Sequence, residues 1–362
     1  MTTFRNSMPR FCLALAAGIA IVSLIGWAQE PSTDGPYKVL KAAKVGGEGG
    51  FDYVTANAED RQLYVGRSGN PGRVMVYNLD TVEKVGEIAN TMRVHGATAS
   101  PKSHHGFASA NPVVMFDTKT FATIKTIDVK GSPDGYLYDP YNDRVYIWSH
   151  SQPNATVIDA KDGTVIGTID DLGGAPEQAA TDGKGTIYVD IEDKHNIAVV
   201  DAKTMTVKTH YDLEGKADGC AGLALDAKNE VLFAACRNPT TMVILSAKDG
   251  KILDALPLAG SSDGAVFNPK TMEAFSSHGN GTLSVIKENS PTSFTVEETL
   301  KTMPRAKTLT LDAKTGNILL IGAENGPMPA QTTPPDPAKK GGGRGPQAPM
   351  LPDSFTVLVV GK

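Results

Sequence analysis

A unit of about 42 residues recurs through this 362-residue chain and restricts its fold more than any other feature. The stretches "VMVYNLDTVEKVGEI" from Val74, "VVMFDTKTFATIKTI" from Val113, "ATVIDAKDGTVIGTI" from Ala155 and "IAVVDAKTMTVKTH" from Ile197 are variants of one pattern. So are "TMVILSAKDGKILDAL" from Thr241 and "TLSVIKENSPTSFTVEETL" from Thr282. Each reads as an apolar strand, a polar turn and a second strand alternating with period two. The turns open at Asp80, Asp117, Asp159, Asp201, Ser246 and Lys287, at successive spacings of 37, 42, 42, 45 and 41 residues. A second hairpin precedes each unit, as in "YLYDPYNDRVYIW" (136–148) and "LALDAKNEVLFAAC" (223–236). Every period therefore carries four short strands. Four strands per roughly 40–50 residues is the pattern of a β-propeller blade; tandem β-sandwiches would not repeat so closely.

Six complete units and a seventh first hairpin at 305–322 can be counted, and the chain ends in one more apolar strand, "FTVLVVGK". The last blade then lacks a fourth strand, which "YKVLKAAKV" at 37–45 can supply. Joining the termini in one blade closes the ring and removes an exposed sheet edge. The expectation is an all-β protein, a seven-bladed β-propeller of four-stranded antiparallel blades, closed by the N-terminal strand. Blades are expected near 50–93, 94–131, 132–174, 175–216, 217–260, 261–303 and 304–362 plus 37–45. The composition agrees, with 37 Gly and 23 Pro for turns and 40% apolar residues for a core. The Pro/Gly-rich stretch at 325–352 has too few apolar residues to fold alone and reads as a flexible insertion in the last blade.

Residues 1–28 read as a signal peptide: Arg5 and Arg10, then an apolar stretch from Phe11 to Trp27, then Gly26-Trp27-Ala28 as the cleavage site. The competing reading, an uncleaved anchor, would be short for the roughly 20 apolar residues of a span. Localisation is then periplasmic or secreted, with no membrane span after cleavage. The net charge of −5 falls by two when those arginines leave. With no basic run and an acidic balance, nucleic acid is not an expected partner. A monomer is expected.

In a blade whose strands run A to D from the channel outward, the D-to-A and B-to-C loops share one rim. Residues leading into strand A there are Asp52, His95, Asp134, Glu177, Asp218, Asp263 and Lys307, so six of seven blades place an acid or a His beside the channel. Around them the B-to-C loops carry Arg67, His150, Asp193, His195, Arg237 and His278. Such a ring could hold a divalent cation in the channel, or a transition metal through His95. It is also what repeats inheriting their turn residues would produce, with solvent satisfying each acid. The histidines show no metal-binding spacing, and His150, His195 and His278 read as solvated loop residues. His104-His105 falls on the far rim.

The hairpin turning at Asp226–Glu230 would set Leu225 opposite Val231, and the same register sets Cys220 opposite Cys236. A disulfide fits that pairing and an exported protein, the other possibility being two small buried thiols. Two motif matches fail on context. "GSSDG" (260–264) leads into a strand rather than the helix a nucleophile elbow needs, and "GGGRGP" (341–346) lacks the strand and helix of a phosphate loop.

The wording "RQLYVG…VMVYNLDTVEKVGEI", "GTIYVD…IAVVDAKTMTVKT" and "FDYVTANAEDRQLYVG" resembles the YVTN-repeat (YncE-like) bacterial seven-bladed propellers, in particular exported single-domain members, over roughly 37–362. Tyr64-Val65 and Tyr188-Val189 keep the first half of the repeat's tetrad in register. The resemblance implies a rigid extracytoplasmic scaffold, usually without an assigned reaction. Distant propeller relatives include lactonases, a streptogramin lyase and metal-centred reductases, but no catalytic set transfers residue by residue. Two functions follow. One is a non-enzymatic binding scaffold that offers the acid-lined rim to a protein, a peptide or a small polar ligand. The other is a metal-assisted hydrolase, lactonase or lyase at the same channel mouth. Convergence of three or four rim residues on one point would favour catalysis; evenly spaced acids would favour binding.

Overall fold

A computed structural model describes residues 1–2, 35–328 and 348–362. The signal-peptide reading and most of the 325–352 insertion lie outside the described residues. Seven antiparallel four-stranded sheets form the blades, each ordered A-B-C-D along the chain except the last. There, strands Leu309–Leu311, Ile318–Gly322 and Thr356–Gly361 are followed by the N-terminal strand Lys38–Lys44, which pairs antiparallel with Thr356–Gly361. The ring is closed as expected. That added strand is mostly exposed and carries Lys38, Lys41 and Lys44, charges that keep an outer edge from recruiting another chain. No helix among the described residues is long and apolar enough to cross a membrane.

The core is divided among the blade interfaces. Seven buried apolar clusters lie one between each adjacent pair of blades: Tyr146 and Trp148 of blade three, for example, pack on Ile187 and Val189 of blade four. This explains why B strands such as Ile318–Gly322 and Arg144–Ser149 read as continuous apolar runs. Both faces are covered by a neighbouring blade, so alternation has nothing to mark. The outer D strands, such as Lys84–Ile88 and Thr123–Ile127, are exposed until a final buried isoleucine. Truncating a fully buried side chain such as Ile187 or Phe233 should cost about 2–5 kcal/mol.

The C-to-D turns share one construction. The carboxylates of Asp117, Asp159 and Asp201 accept from backbone N–H groups two or three residues on, at 2.7–3.0 Å. In blade one the same role falls to Asn78, which accepts from Asp80 and Thr81 at 2.8 and 2.9 Å, so the turn opens there and not at Asp80. An amide serves as well as a carboxylate, which is why the shorter first spacing arose.

Strand A of blades three to six contains a bulge, between Pro133 and Tyr136, Pro176 and Ala179, Cys220 and Gly222, and Ser262 and Ala265. A bulge adds one residue and re-aims the side chains on its channel side. It also corrects the hairpin register of blade five. Near the turn Leu225 pairs with Leu232, not Val231, and the extra residue then restores Cys220 opposite Cys236. The two cysteines are disulfide-bonded.

Candidate functional site at the channel mouth

The bulges place Asp134, Glu177 and Asp263 on the channel side of their blades at intervals of 43 residues, and the same interval lands on Cys220. Blade five therefore has no acid at this position: Cys220 is buried in the apolar cluster shared with blade four, and Arg237 is the residue by which blade five lines the cavity. Asp218, expected at this position, lies apart from the cluster, half-exposed and paired with His195 Nδ1 at 2.8 Å. Asp52, His95, Asp134, Glu177, Asp263 and Lys307 are brought together, around a cavity of about 250 Å³ that Tyr53, His150, Glu192 and Arg237 also line.

These side chains form one charge network. His95 Nδ1 lies 2.8 Å from Asp52 Oδ2 and 3.2 Å from Asp134 Oδ1. Lys307 is 3.5 Å from Asp52 and also pairs with Asp263, which accepts in turn from Arg237. Arg237 bridges onward to Glu192, whose other oxygen is 2.9 Å from His150 Nε2. His150 Nε2 also faces Glu177 Oε1 at 3.5 Å, and the Tyr53 hydroxyl donates to Glu177 Oε2 at 3.0 Å. Five carboxylates thus face two permanent cations and two imidazoles, which leaves an excess of negative charge.

The titration shifts follow from that crowding. Burial, then the charges of Asp134 and Glu192, push Glu177 well above the usual carboxylate range. Burial also raises Asp134. Burial pushes Asp52 up too, but the His95 hydrogen bond and the Lys307 charge outweigh it and hold its carboxyl low. The His150 hydrogen bond, with help from Arg237, holds Glu192 well below its ordinary value. The Glu192 hydrogen bond raises His150; for His95, burial pulls down but Asp52 and Asp134 prevail and raise it.

Outward from the cavity lies a basin of about 990 Å³, lined in part by Arg237, Arg305, Lys307, Phe51 and Met350. The two ends of the Pro/Gly-rich stretch meet beside it. Asn325 bridges to Met350, and Arg305 donates to the Ala348 carbonyl. Inward the channel is obstructed. Thr55 and Tyr136 are hydrogen-bonded at 2.6 Å, and Gln178 reaches from blade four to the Leu223 and Ala265 backbones. The mouth narrows there as a funnel, and Tyr53 and Glu177 also line a second cavity of about 450 Å³ beyond it, with Thr55, Tyr136 and Gln178.

The loop residues around the mouth divide by role. Arg67 is buried and donates to the carbonyls of Gly46, Glu48 and Gly50, with Phe355 stacked under its guanidinium, so it clamps the first rim loop. Asp193 accepts from the Ala175 N–H and fixes the loop into blade four. His278, expected in solvent, is fully buried. It ends strand B of blade six, where Ser262 and Thr282 flank it in the ladder. Glu192 and Tyr53 escape the sequence reading. Each occurs in a single blade, so no repeat marks it; the only available signal for Glu192 was its place directly after strand B.

Many solved structures share this fold, among them the following two. A chain of a mitotic checkpoint complex superposes with a TM-score of 0.68 at 12% identity, over 84% of this chain and 96% of that one. A chain of the hydrazine synthase of Kuenenia stuttgartiensis gives 0.65 at 14% identity, over 75% and 92%. Identities this low show the shared fold alone. No family model matches the sequence, and no curated protein matches it.

Proposed function

We propose that this chain is an exported propeller of the YVTN-repeat kind that works by binding, and that it takes a small polar ligand at the funnel. The observation that carries this reading is that ten side chains, drawn from all seven blades and including five carboxylates, line one cavity of about 250 Å³. A folded partner cannot enter a space of that size, but a small solute or the end of a peptide can. Arg237, Arg305 and Lys307 on one side and the acids on the other suit a ligand that carries both signs of charge. Export is supported by the leader pattern at 1–28 and by the Cys220–Cys236 bond, since disulfides persist in oxidising compartments.

A second reading, a metal-assisted hydrolase, lactonase or lyase, is favoured by one specific feature. Asp52, His95 and Asp134 meet at one point and His150, Glu177 and Glu192 at another, which is the convergence that catalysis would need. The binding reading is tested by saturation-transfer NMR against amino acids, short peptides, dicarboxylates and polyamines. We expect a binder among the zwitterionic members, with affinity reduced at least about tenfold by Arg237→Gln or Asp263→Asn. No binder in any class, or binding that ignores both substitutions, would overturn it.

A further inference from the structure

We propose that His150, Glu177 and Glu192 form a site for one divalent first-row transition ion, with the funnel as its open side. The inference rests on the channel mouth being the binding face, and it names a ligand for one wall of it. His150 comes from the loop after strand B of blade three (Arg144–Ser149), and Glu177 from the bulge in strand A of blade four (Pro176–Thr181). Glu192 directly follows strand B of blade four (Thr186–Ile191). Two blades thus deliver three ligand atoms to one point, all within 4.8 Å of one another.

Three features single out this triad. First, one imidazole nitrogen, His150 Nε2, faces two carboxylate oxygens at 2.9 and 3.5 Å. A single proton on that nitrogen can serve only one of them directly. An ion bonded to each atom at about 2.0–2.2 Å would set the atoms about 3–3.5 Å apart, close to the 2.9 and 3.5 Å that separate His150 Nε2 from the two oxygens. Second, the remaining oxygen of each carboxylate is already held from behind. Tyr53 donates to Glu177 Oε2 at 3.0 Å, and Arg237 donates to Glu192 Oε1. Such outer contacts orient metal ligands.

Third, Asp190 lies two residues before Glu192, within strand B of the same blade. It is fully buried, and neither carboxylate oxygen has a hydrogen-bond partner. It stands within electrostatic reach of both Glu177 and Glu192. A buried carboxylate with no donor is costly, and a divalent cation beside it would offset that cost.

One imidazole with two carboxylates is a mixed nitrogen–oxygen set. Ca²⁺ and Mg²⁺ prefer oxygen alone, whereas Mn²⁺, Fe²⁺ and Zn²⁺ accept both donors. Three protein ligands leave coordination positions facing the cavity, where a polar ligand or water could complete the shell.

The test uses the metal alone as probe. The full chain is stripped with a chelator and titrated with Zn²⁺ by calorimetry and with Mn²⁺ by electron paramagnetic resonance; Ca²⁺ and Mg²⁺ are run in parallel. We expect one Zn²⁺ or Mn²⁺ per chain and no response to millimolar Ca²⁺ or Mg²⁺. His150→Ala and Glu192→Gln should each weaken binding at least about tenfold, and Asp190→Asn should weaken it measurably while keeping the ligands. Glu192→Gln is nearly isosteric, so it decides the matter if His150→Ala folds poorly. Absence of binding by the parent chain, or unchanged affinity in both ligand variants, would overturn the proposal. So would loss of binding on His95→Ala with His150→Ala unaffected, which would move the ion to the other triad. Failure here leaves the NMR ligand screen untouched, so the two readings fail separately.

Discussion

His278 should make the folded chain acid-sensitive by an amount that can be worked from its surroundings. The Thr282 hydroxyl donates to Asn280 at 2.8 Å, so its oxygen accepts from His278 Nδ1 at 2.9 Å. That assigns the proton to Nδ1 and leaves Nε2 as a buried lone pair with no partner. Protonating Nε2 would bury a charge with no acceptor, and burial lowers this histidine from 6.5 to about 4. The unfolded chain therefore takes up the extra proton first. Stability falls as the pH drops below about 6.5, and the loss is complete below about 4. The full difference corresponds to about 3 kcal/mol, of which about 2 kcal/mol is already lost at pH 5. The assay is urea unfolding of the parent chain and His278→Asn at pH 7.5, 6, 5 and 4.5. The asparagine nitrogen can keep the bond to Thr282, and whatever the substitution costs at pH 7.5 cancels when slopes are compared. The parent should lose about 2 kcal/mol more than the variant between pH 7.5 and pH 5. Parallel losses would refute the reasoning.

Two further outcomes follow from single contacts. Arg61 of blade one grips Asp312 of blade seven through two bonds of 2.7 Å across the ring closure. Arg61→Ala leaves that buried carboxylate unpaired and should cost about 3–5 kcal/mol in urea unfolding at pH 7. Burial raises Asp312, but Arg61 and Thr315 outweigh it and hold it at about 2, so its contribution is present above pH 3.8 and fades as the pH falls toward 2. Thiol titration of the unfolded, unreduced chain beginning at residue 29 should find no free thiol, because Cys220 and Cys236 are bonded. Replacing both bonded cysteines with serine should cost about 3 kcal/mol, as expected for a loop of this length.

The architecture was legible because it is written seven times. Turn formers, strand length and the missing fourth strand at 309–361 all repeat or conspicuously fail to, and the closure by Lys38–Lys44 followed from counting. What escaped was whatever breaks the repeat by one residue. Apolar alternation does not announce a bulge, so the strand-A position of blade five was assigned to Asp218 when the 43-residue interval falls on Cys220. The disulfide pairing came out the same because the turn register and the bulge shift it in opposite senses. Side chains that occur once, such as Glu192, Asp190 and His278, have no periodic signal, and only the folded ring shows that two of them sit beside Glu177. Part of the ring was visible in sequence as Asp52, His95, Asp134, Glu177, Asp263 and Lys307. Which of them meet, and through which nitrogen, depends on the bulges that turn them.

The central claim is that the channel mouth holds an ion at His150, Glu177 and Glu192 and is not merely a solvated circle of inherited turn acids. Anomalous diffraction from crystals soaked in manganese chloride tests it most directly. The account predicts one strong peak in the funnel, bounded by His150 Nε2 and the carboxylates of Glu177 and Glu192. Peaks confined to the outer surface, with none in the funnel, would contradict it.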